Sequence, residues 1–270
     1  MAIITISRGS YSKGKEVAEK VAARLGYDCV SREVLVEASD RFNIPEIKLV
    51  RALHDAPSVL ERFTYGKERY LTYFEASFLE HVHRGNVVYH GLAGHFYLRG
   101  ISHVLKVRIL ADIEDRVRLE MEREKISKDE ALYVLKKDDH ERRQWSLRLF
   151  GVDTWDPNLY DLIIHIRKIT VDDAVDIVCH TVGLDHFRIT QESQRALDNL
   201  LLAAEVKAQL IEVCPGVRVG SRDNVVFLDI QAGPAVAEPL ADELRRLAEQ
   251  VPGVKEVKID VAPLASFFSD

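Results

Sequence analysis

Residues 5–22 read TISRGSYSKGKEVAEKVA, and this stretch decides the fold. Its first residues belong to a short apolar, strand-like run, whereas Val17 and Val21 lie four positions apart, on one face of a helix. Between them, residues 9–15 satisfy the pattern G-x-x-x-x-G-K, whose glycines and lysine cradle phosphate groups. A strand, a glycine-rich turn and a helix in this order predict a phosphate-binding loop. The spacing alone also fits a tight turn with two solvated lysines.

Glu16 occupies the position after the loop where the usual pattern has serine or threonine, whose hydroxyl reaches Mg²⁺. We favour a role in the first turn of the helix, because a carboxylate there complements the positive end of the helix dipole. The alternative is that Glu16 holds Mg²⁺, directly or through water. In either case the unpaired N–H groups of a helix N-terminus and the charge of Lys15 suit the phosphates of a nucleotide.

The composition argues against several classes of protein. The chain has 270 residues, of which 47% are hydrophobic, so we expect one large domain or two unequal ones with a sizeable core. We find no transmembrane run and no signal peptide, and the net charge of −6 does not suggest a dedicated nucleic-acid binder. Cys29, Cys179 and Cys214 are far apart, which argues against a disulfide framework and favours buried thiols in a reduced cytoplasm.

Strand-like and helical patterns alternate from the N-terminus to Gly183. This alternation predicts an α/β fold, in which a mainly parallel five-stranded sheet has helices on both faces. Ser127 and Glu130 form a capping box at the start of one helix. Ligands of such sheets bind at the carboxyl ends of the strands, where the loop after the first strand lies. The predicted strands are residues 2–7, 27–30, 86–91, 103–111 and 159–169.

A second pattern begins near Arg195 and has the order helix, strand, strand, helix, strand. We interpret residues 195–264 as a separate small domain with a hairpin turn at 221–223, and residues 1–184 as a domain that folds alone. Residues 185–194 would then be a hinge or linker. The alternative is that leucines on one face of the new helix pack back onto the sheet unit and make the junction rigid; they are Leu197, Leu200 and Leu201.

The loop and the residues on both sides of it resemble the cytidylate kinase-like proteins of bacteria. The resemblance begins with ITISR and continues through GKEVAEKVAARLGYDCVSREVL. In this register Ser7-Arg8 match the Ser-Arg of the family, residues 11–14 stand for its glycine-rich tetrad, and Lys15-Glu16 match its basic–acidic pair. Tyr11 and Lys13 stand where glycines are usual, which leaves Lys13 and Lys15 as rival phosphate ligands.

The resemblance extends to about residue 180, through NVVYHGLAGHFYL, HVLKVRILADIEDRVR and the Asp-x-x-x-Tyr-Asp run at 156–161. It implies a P-loop kinase-like fold and transfer of the γ-phosphoryl group of ATP, or of another nucleoside triphosphate, with Mg²⁺. The acceptor would be a nucleoside monophosphate or another small molecule. One departure matters here, because Gly91-Leu92 replaces the Gly-Arg of the family and Leu92 cannot bind a phosphate by hydrogen bonds. The alternative function is therefore a catalytically weak or inactive nucleotide-sensing module.

The resemblance also assigns residues to sites. Arg142 and Arg143 match the lid of the family best, within a basic stretch at 136–148, although Asp138, Asp139 and Glu141 could simply pair with them on a solvated helix. With Lys13 and Lys15, these arginines are the predicted catalytic residues. The predicted nucleotide-binding residues, called the phosphate loop below, are Arg8, Gly9, Ser10, Tyr11, Ser12, Lys13, Gly14, Lys15 and Glu16. The predicted acceptor-binding residues are Arg32, Gly91 and His95, with Arg62, Lys67 and Arg69 as further basic candidates.

The histidines do not form a metal-binding pattern. His81 and His83 would point to different sides of a helix, and neither they nor His90, His95 and His103 match a zinc spacing. We therefore predict no metal site at these histidines. His95 follows the third strand, so it either contacts a ligand or is a satisfied structural histidine.

Residues 195–262 resemble a BON domain, through the runs NVVFLDI and VPGVKEVKI. The resemblance implies binding of a hydrophobic ligand, a membrane or another protein. Residues 190–270 contain 8 Lys and Arg against 13 Asp and Glu, a net charge of −5, which disfavours anionic lipid headgroups. We therefore expect a protein contact, ligand sensing or homo-oligomerisation. The alternative is a small packing domain without a ligand.

Overall fold

The computed structural model describes residues 2–9, 12–31, 33–46, 48–49, 64–91 and 94–263. Within them the strands are β1 (Ile3–Arg8), β2 (Asp28–Val30), β3 (Val87–Tyr89), β4 (Val104–Ala111), β5 (Leu162–Ile166), β6 (Arg218–Arg222), β7 (Val225–Gln231) and β8 (Glu256–Ala262). The α-helices are α1 (Gly14–Leu25), α2 (Glu33–Phe42), α3 (Thr64–His83), α4 (Gly94–Tyr97), α5 (Ile113–Glu124), α6 (Lys128–Phe150), α7 (Val171–Val182), α8 (Gln191–Leu210) and α9 (Pro234–Ala248).

The first five strands form one parallel sheet in the order β2-β3-β1-β4-β5. Strand β1 lies at its centre, where Ile3 is in register with Val87 of β3 and Val104 of β4. Because all five strands run in the same direction, their carboxyl ends meet at one edge, and the phosphate loop begins there. The predicted α/β class and the five-stranded parallel sheet are confirmed.

The alternation of side chains along β1 divides the core between the two faces of the sheet. Ile4 and Ile6 are buried against α1 and α7, whereas Ile3 is buried with aromatic residues of α3. On this second face β1 becomes polar toward its carboxyl end, at Thr5 and Ser7. The face that carries α2, α3 and α4 therefore changes from a hydrophobic core into a polar edge next to the phosphate loop.

Helix boundaries follow local capping chemistry. Gly26 ends α1 in the left-handed conformation, with φ of 68°, as its position after the last helical residue predicts. The capping box that starts α6 is confirmed, since Ser127 accepts a hydrogen bond from the Glu130 amide and the Glu130 carboxylate accepts one from the Ser127 amide. Thr190 and Ser193 form a similar pair at the start of α8, four residues before the predicted start.

The C-terminal unit has the predicted α-β-β-α-β order. Strands β6 and β7 are antiparallel, β7 and β8 are parallel, and the sheet order is β6-β7-β8. The predicted turn at 221–223 was wrong by one to two residues. Ser221 and Arg222 still pair with β7, and the loop consists of Asp223 and Asn224, whose φ angles are 51° and 69°. Two positive φ angles match the twist of a tight hairpin, and Asp and Asn tolerate them better than Ser or Arg.

Helix α8 belongs to both units. Leu197, Ala204 and Ala208 are buried in the core cluster that contains α2, α3 and α4, with Leu200 and Leu201 packed against it. Val206 and Leu210 are buried in the separate core of the C-terminal sheet. The structure thus matches the alternative in which the leucines pack back onto the sheet unit.

Among the described residues, no helix is both long enough and apolar enough to span a bilayer.

Candidate functional site

The phosphate loop is closed by its own hydrogen bonds. Ser12 is buried, and both its amide and its hydroxyl donate to the carbonyl oxygen of Gly9, at 3.4 Å and 3.0 Å. Lys13 follows with φ of 61°, in the left-handed region that glycine adopts without strain. The backbone at Lys13 therefore has a conformation that favours glycine, although the side chain is lysine.

Gly14 is required because α1 starts directly against Arg8. A Cβ atom at Gly14 would lie 2.7 Å from Cβ and 2.9 Å from Cδ of Arg8, closer than van der Waals contact allows. Gly14 thus lets the helix N-terminus approach the end of β1. Ser10 and Tyr11 lie outside the described residues.

The charged side chains of the loop are open to solvent. Lys15 is exposed and pairs with Glu19 at 3.6 Å, and Glu16 pairs with Lys20 at 3.4 Å, both at helical spacing. Glu16 lies in the first turn of α1, where its carboxylate complements the helix dipole. Lys13 is also exposed, so both rival lysines are accessible to an anion.

Two arginines reach the loop from the helices that follow β4. Arg142 of α6 donates from Nη1 to the carbonyl oxygen of Arg8 at 3.1 Å. Arg116 of α5 is buried, and its Cζ would lie 3.4 Å from a Cβ atom placed on Gly9. Its guanidinium donates two hydrogen bonds to Asp139, at 2.8 Å and 2.9 Å. Sequence reasoning missed Arg116, although its position one turn after the strand beside β1 could have indicated it.

Arg143 does not join Arg142 at the loop. Its Nε and Nη2 donate to the carboxylate of Asp153 at 3.0 Å and 2.6 Å, and its guanidinium lies 4.7 Å from the centroid of the Trp155 ring. The hydrogen bonds from Arg143 lower the pKa of Asp153. Of the two predicted lid arginines, the structure therefore brings one to the loop and ties the other to the segment after α6.

A polar group lies at the carboxyl ends of β1 and β4. Arg108 donates from Nη1 to Tyr160 Oη at 2.9 Å, and Tyr160 Oη lies 3.3 Å from Ser7 Oγ and 3.5 Å from His95 Nε2. Burial and the nearby cations Arg108, Lys106 and Arg99 lower the pKa of His95 to about 3, so its imidazole is neutral at physiological pH. The Asp-x-x-x-Tyr-Asp run was noted in the sequence, but neither Tyr160 nor Arg108 was predicted as a site residue.

The structure describes only some of the predicted acceptor-binding residues. A Cβ atom at Gly91 would lie 2.1 Å from Tyr89 Oη, and one at Gly94 would lie 2.4 Å from Tyr89 Cδ1, so both glycines make room for the Tyr89 ring. Arg69 pairs with Glu212, which follows α8, at 2.9 Å. Arg32, Leu92, Arg62 and the side chain of Lys67 lie outside the described part of the chain.

His81 and His83 contact different carboxylates and do not share a site. His81 contacts the carboxylate of Glu37 at 3.0 Å, and His83 contacts Asp198 of α8 at 2.8 Å. Over the residues that the structure describes, no group of three or more His, Cys, Asp or Glu side chains could hold a metal ion.

A parallel five-stranded sheet with a helix N-terminus and a glycine-containing loop after its central strand defines the P-loop kinase class of fold. The chain belongs to the cytidylate kinase-like family, whose model matches residues 3–168. The C-terminal unit lies beyond this match.

Two cytidylate kinases and one solved structure are similar to the chain. The enzyme of Sulfolobus acidocaldarius is 25% identical over 186 residues, which cover 67% of this chain and 93% of that protein. The enzyme of Pyrococcus horikoshii is 31% identical over 108 residues, which cover 40% of this chain and 54% of that protein. An uncharacterized protein from Eubacterium ventriosum superposes with a TM-score of 0.52 at 22% identity, covering 67% of this chain and 98% of that one, and this likeness concerns the fold alone.

Proposed function

We propose that the chain is an ATP-dependent phosphotransferase that moves the γ-phosphoryl group to a nucleoside monophosphate or another small acceptor. The observation that carries the proposal is the convergence of cations on a closed loop at a helix N-terminus. Arg142 contacts the backbone of the loop and Arg116 lies against Gly9, while Lys13 and Lys15 remain exposed. Membership of the family supports a kinase-like function, and the named substrate of the relatives supports the acceptor class.

The protein supplies positioning and charge, which account for most of the catalysis of phosphoryl transfer. The amide groups at the start of α1 would bind phosphate oxygens, because they have no partner within the helix. Lys15 would contact the terminal phosphates, with Lys13 as its rival. Arg142 would neutralise the negative charge that develops on the transferring group. Arg116, whose charge is compensated by Asp139, would support the loop at Gly9.

The residues at the loop fit a divalent cation of the Mg²⁺ type. Such ions in kinases are held by one or two carboxylates together with phosphate oxygens, so a dedicated cage of protein ligands is not needed. Glu16 is the carboxylate that follows Lys15, and its side chain is about half exposed at the helix start. Glu16 would hold such an ion together with the nucleotide, and the ion would supply positive charge against the phosphates.

The acceptor would bind on the face of the sheet that carries α2, α3 and α4. The polar edge of this face contains Thr5, Ser7 and the neutral, buried His95. We propose that Arg32, Gly91 and His95 line this side, with Gly91 keeping the backbone close to the Tyr89 ring.

The second candidate function is a nucleotide-sensing module with weak turnover or none. The pairing of Arg143 with Asp153 favours it, because a bidentate ion pair keeps one of the two lid arginines away from the loop. In this candidate the C-terminal unit, with its BON-like sequence, binds a partner or a ligand. The exposed face of its sheet presents both signs of charge, for example Arg218 beside Asp229.

Calorimetric titration with the non-hydrolysable analogue AMP-PNP and Mg²⁺ tests the shared part of both candidates. We expect binding by the wild type and weaker binding by Lys15→Ala. Lys168→Ala, at an exposed lysine before α7, is the matched control and should bind like the wild type. Absence of binding by the wild type at millimolar nucleotide would reject both candidates.

A coupled assay over the common nucleoside monophosphates then separates the two candidates. Steady turnover with any of them supports the phosphotransferase and eliminates the sensing module. Nucleotide binding without turnover on any acceptor supports the sensing module.

A further inference from the structure

We propose that Arg108, supported by Tyr160 and Ser7, forms a binding site for a phosphate group, and that this site takes the phosphate of the phosphoryl acceptor. The assignment to the acceptor rests on the proposed phosphotransferase function. It narrows that function to acceptors that are phosphate monoesters, such as nucleoside monophosphates.

The register of the sheet places Arg108 beside the phosphate loop. Arg108 of β4 pairs with Ser7 of β1, and Ser7 directly precedes Arg8 and Gly9. Ser7 lies on the same face of β1 as Ile3, which packs against α3. Arg108 contacts Ser7 from the neighbouring strand, so its guanidinium lies on the acceptor face, next to the start of the loop.

The hydrogen bonds of Arg108 go to neutral groups. Its Nη1 donates to Tyr160 Oη at 2.9 Å and approaches Ser7 Oγ at 3.5 Å. The single proton of the Tyr160 hydroxyl is available to the carbonyl oxygen of Thr154 at 3.0 Å, which leaves a lone pair of Oη for Arg108. Tyr160 thereby fixes the guanidinium, which also lies 5.4 Å from the centroid of its ring.

The remaining donors of Arg108, on Nη2 and Nε, have no acceptor in the described part of the chain, and no carboxylate there forms an ion pair with Arg108. A half-buried cation without a counterion is unfavourable unless a ligand supplies the charge. Asp153 lies near enough to be affected electrostatically, but Arg143 holds it with a bidentate pair.

The surroundings of Arg108 are cationic. Lys106 and Arg99 also act on His95, and neither has an ion pair within the described ranges. The low pKa of His95 keeps the imidazole neutral, so it adds no further charge. A phosphate monoester carries up to two negative charges and offers paired oxygens, which match the fork of a guanidinium. A neutral nucleoside or sugar would leave the charge of Arg108 uncompensated.

The test compares Arg108→Gln with the wild type in the presence of saturating AMP-PNP and Mg²⁺. Calorimetry measures the binding of CMP, of inorganic phosphate and of cytidine, which lacks the phosphate. We expect Arg108→Gln to weaken the binding of CMP and of inorganic phosphate by about ten- to a hundredfold, as for the loss of a hydrogen-bonded charge pair. The affinities for cytidine and AMP-PNP should not change. Arg118→Gln, at an exposed arginine of α5, is the matched control and should leave all four affinities unchanged.

Tyr160→Phe keeps the ring and removes only the hydroxyl that fixes Arg108, so it tests the same site if Arg108→Gln does not fold. Tyr160→Phe should bind inorganic phosphate more weakly than the wild type does, while its affinity for AMP-PNP stays unchanged. The proposal is overturned if the wild type binds no inorganic phosphate, or if the wild type and the folded variants bind it with equal affinity. It is also overturned if Arg108→Gln loses affinity for AMP-PNP and keeps its affinity for inorganic phosphate. If the wild type binds inorganic phosphate through Arg108 but no nucleoside monophosphate, the phosphate site stands and the acceptor class of the proposed function fails.

Discussion

Gly14 shows how a single hydrogen atom in place of a side chain determines the shape of the phosphate loop. In Gly14→Ala the new Cβ would lie 2.7 Å from Arg8 Cβ, which cannot move away without shifting the backbone. We expect a loss of roughly 1–3 kcal/mol in the free energy of unfolding, as for overpacking in a core, and weaker AMP-PNP binding. Urea denaturation and calorimetry measure the two effects. Gly220→Ala is the control, because no atom lies within 4 Å of its Cβ position.

Lys13 allows the backbone and the charge of one position to be tested separately. Its φ of 61° is strained for lysine and relaxed for glycine, although glycine also gains entropy in the unfolded chain. We expect Lys13→Gly to change the free energy of unfolding by less than about 1 kcal/mol, on the stabilising side. AMP-PNP binding should persist if Lys15 is the main phosphate ligand. A loss as large as that expected for Lys15→Ala would make Lys13 the ligand instead.

At the scale of the element, α6 carries both lid arginines but begins far from them. Ser127→Ala removes the side-chain half of its capping box and should cost about 1 kcal/mol of stability. Because the first turn lies about four turns before Arg142, we expect no change in AMP-PNP affinity. Thermal melting and calorimetry on the same variant check both statements. A loss of affinity would mean that the whole helix shifts when its first turn frays.

Elements defined by neighbouring residues could be predicted from the sequence. The capping box of α6 and the end of α1 at Gly26 depend on residues within one turn, and both predictions were confirmed. The hairpin was found, but its turn was misplaced because the choice between Ser221 and Asn224 depends on the register with β7.

The site residues that sequence reasoning missed come together only in the folded chain. Ser7, Arg108 and Tyr160 are separated by 101 and 52 positions, and the order of strands brings them into contact. Arg142 and Arg143 are adjacent in sequence, yet they point about 100° apart around the helix and reach different partners. The basic pattern alone therefore could not show which arginine contacts the loop.

For the whole molecule, the main question is whether residues 1–184 are independent. A chain that ends at residue 184 lacks α8 and exposes the surface of α3 that packs against Leu197 and Ala204. We expect this fragment to melt well below the full chain or to aggregate. A fragment that ends at residue 216 keeps α8 and should recover part of the loss. If the shorter fragment melts like the full chain and binds AMP-PNP, residues 1–184 fold alone, as the sequence predicts.

The contact between the units should also respond to acid. Burial alone would raise the pKa of Glu212, but hydrogen bonds from Tyr73, at 2.6 Å, and Arg69 outweigh it and lower the pKa. A lowered pKa in the folded state gives stability that is present above the unfolded pKa of about 4.3 and is lost as the pH falls through the folded value. We expect Glu212→Gln to reduce the fall in melting temperature below about pH 4.3. If the melting temperature of Glu212→Gln falls with acid as steeply as that of the wild type, this contact does not hold the units together.

Helix α8 has a consequence for the dynamics of the chain. Its backbone amides lie between two cores, with Ala204 and Ala208 in one and Val206 and Leu210 in the other. Hydrogen exchange at these amides requires both cores to open, whereas an amide in a helix that belongs to one core can exchange when that core alone opens. The middle of α8 should therefore hold the slowest-exchanging protons of the C-terminal unit. A ligand that stabilises the acceptor side of the sheet would then slow their exchange without touching the C-terminal sheet.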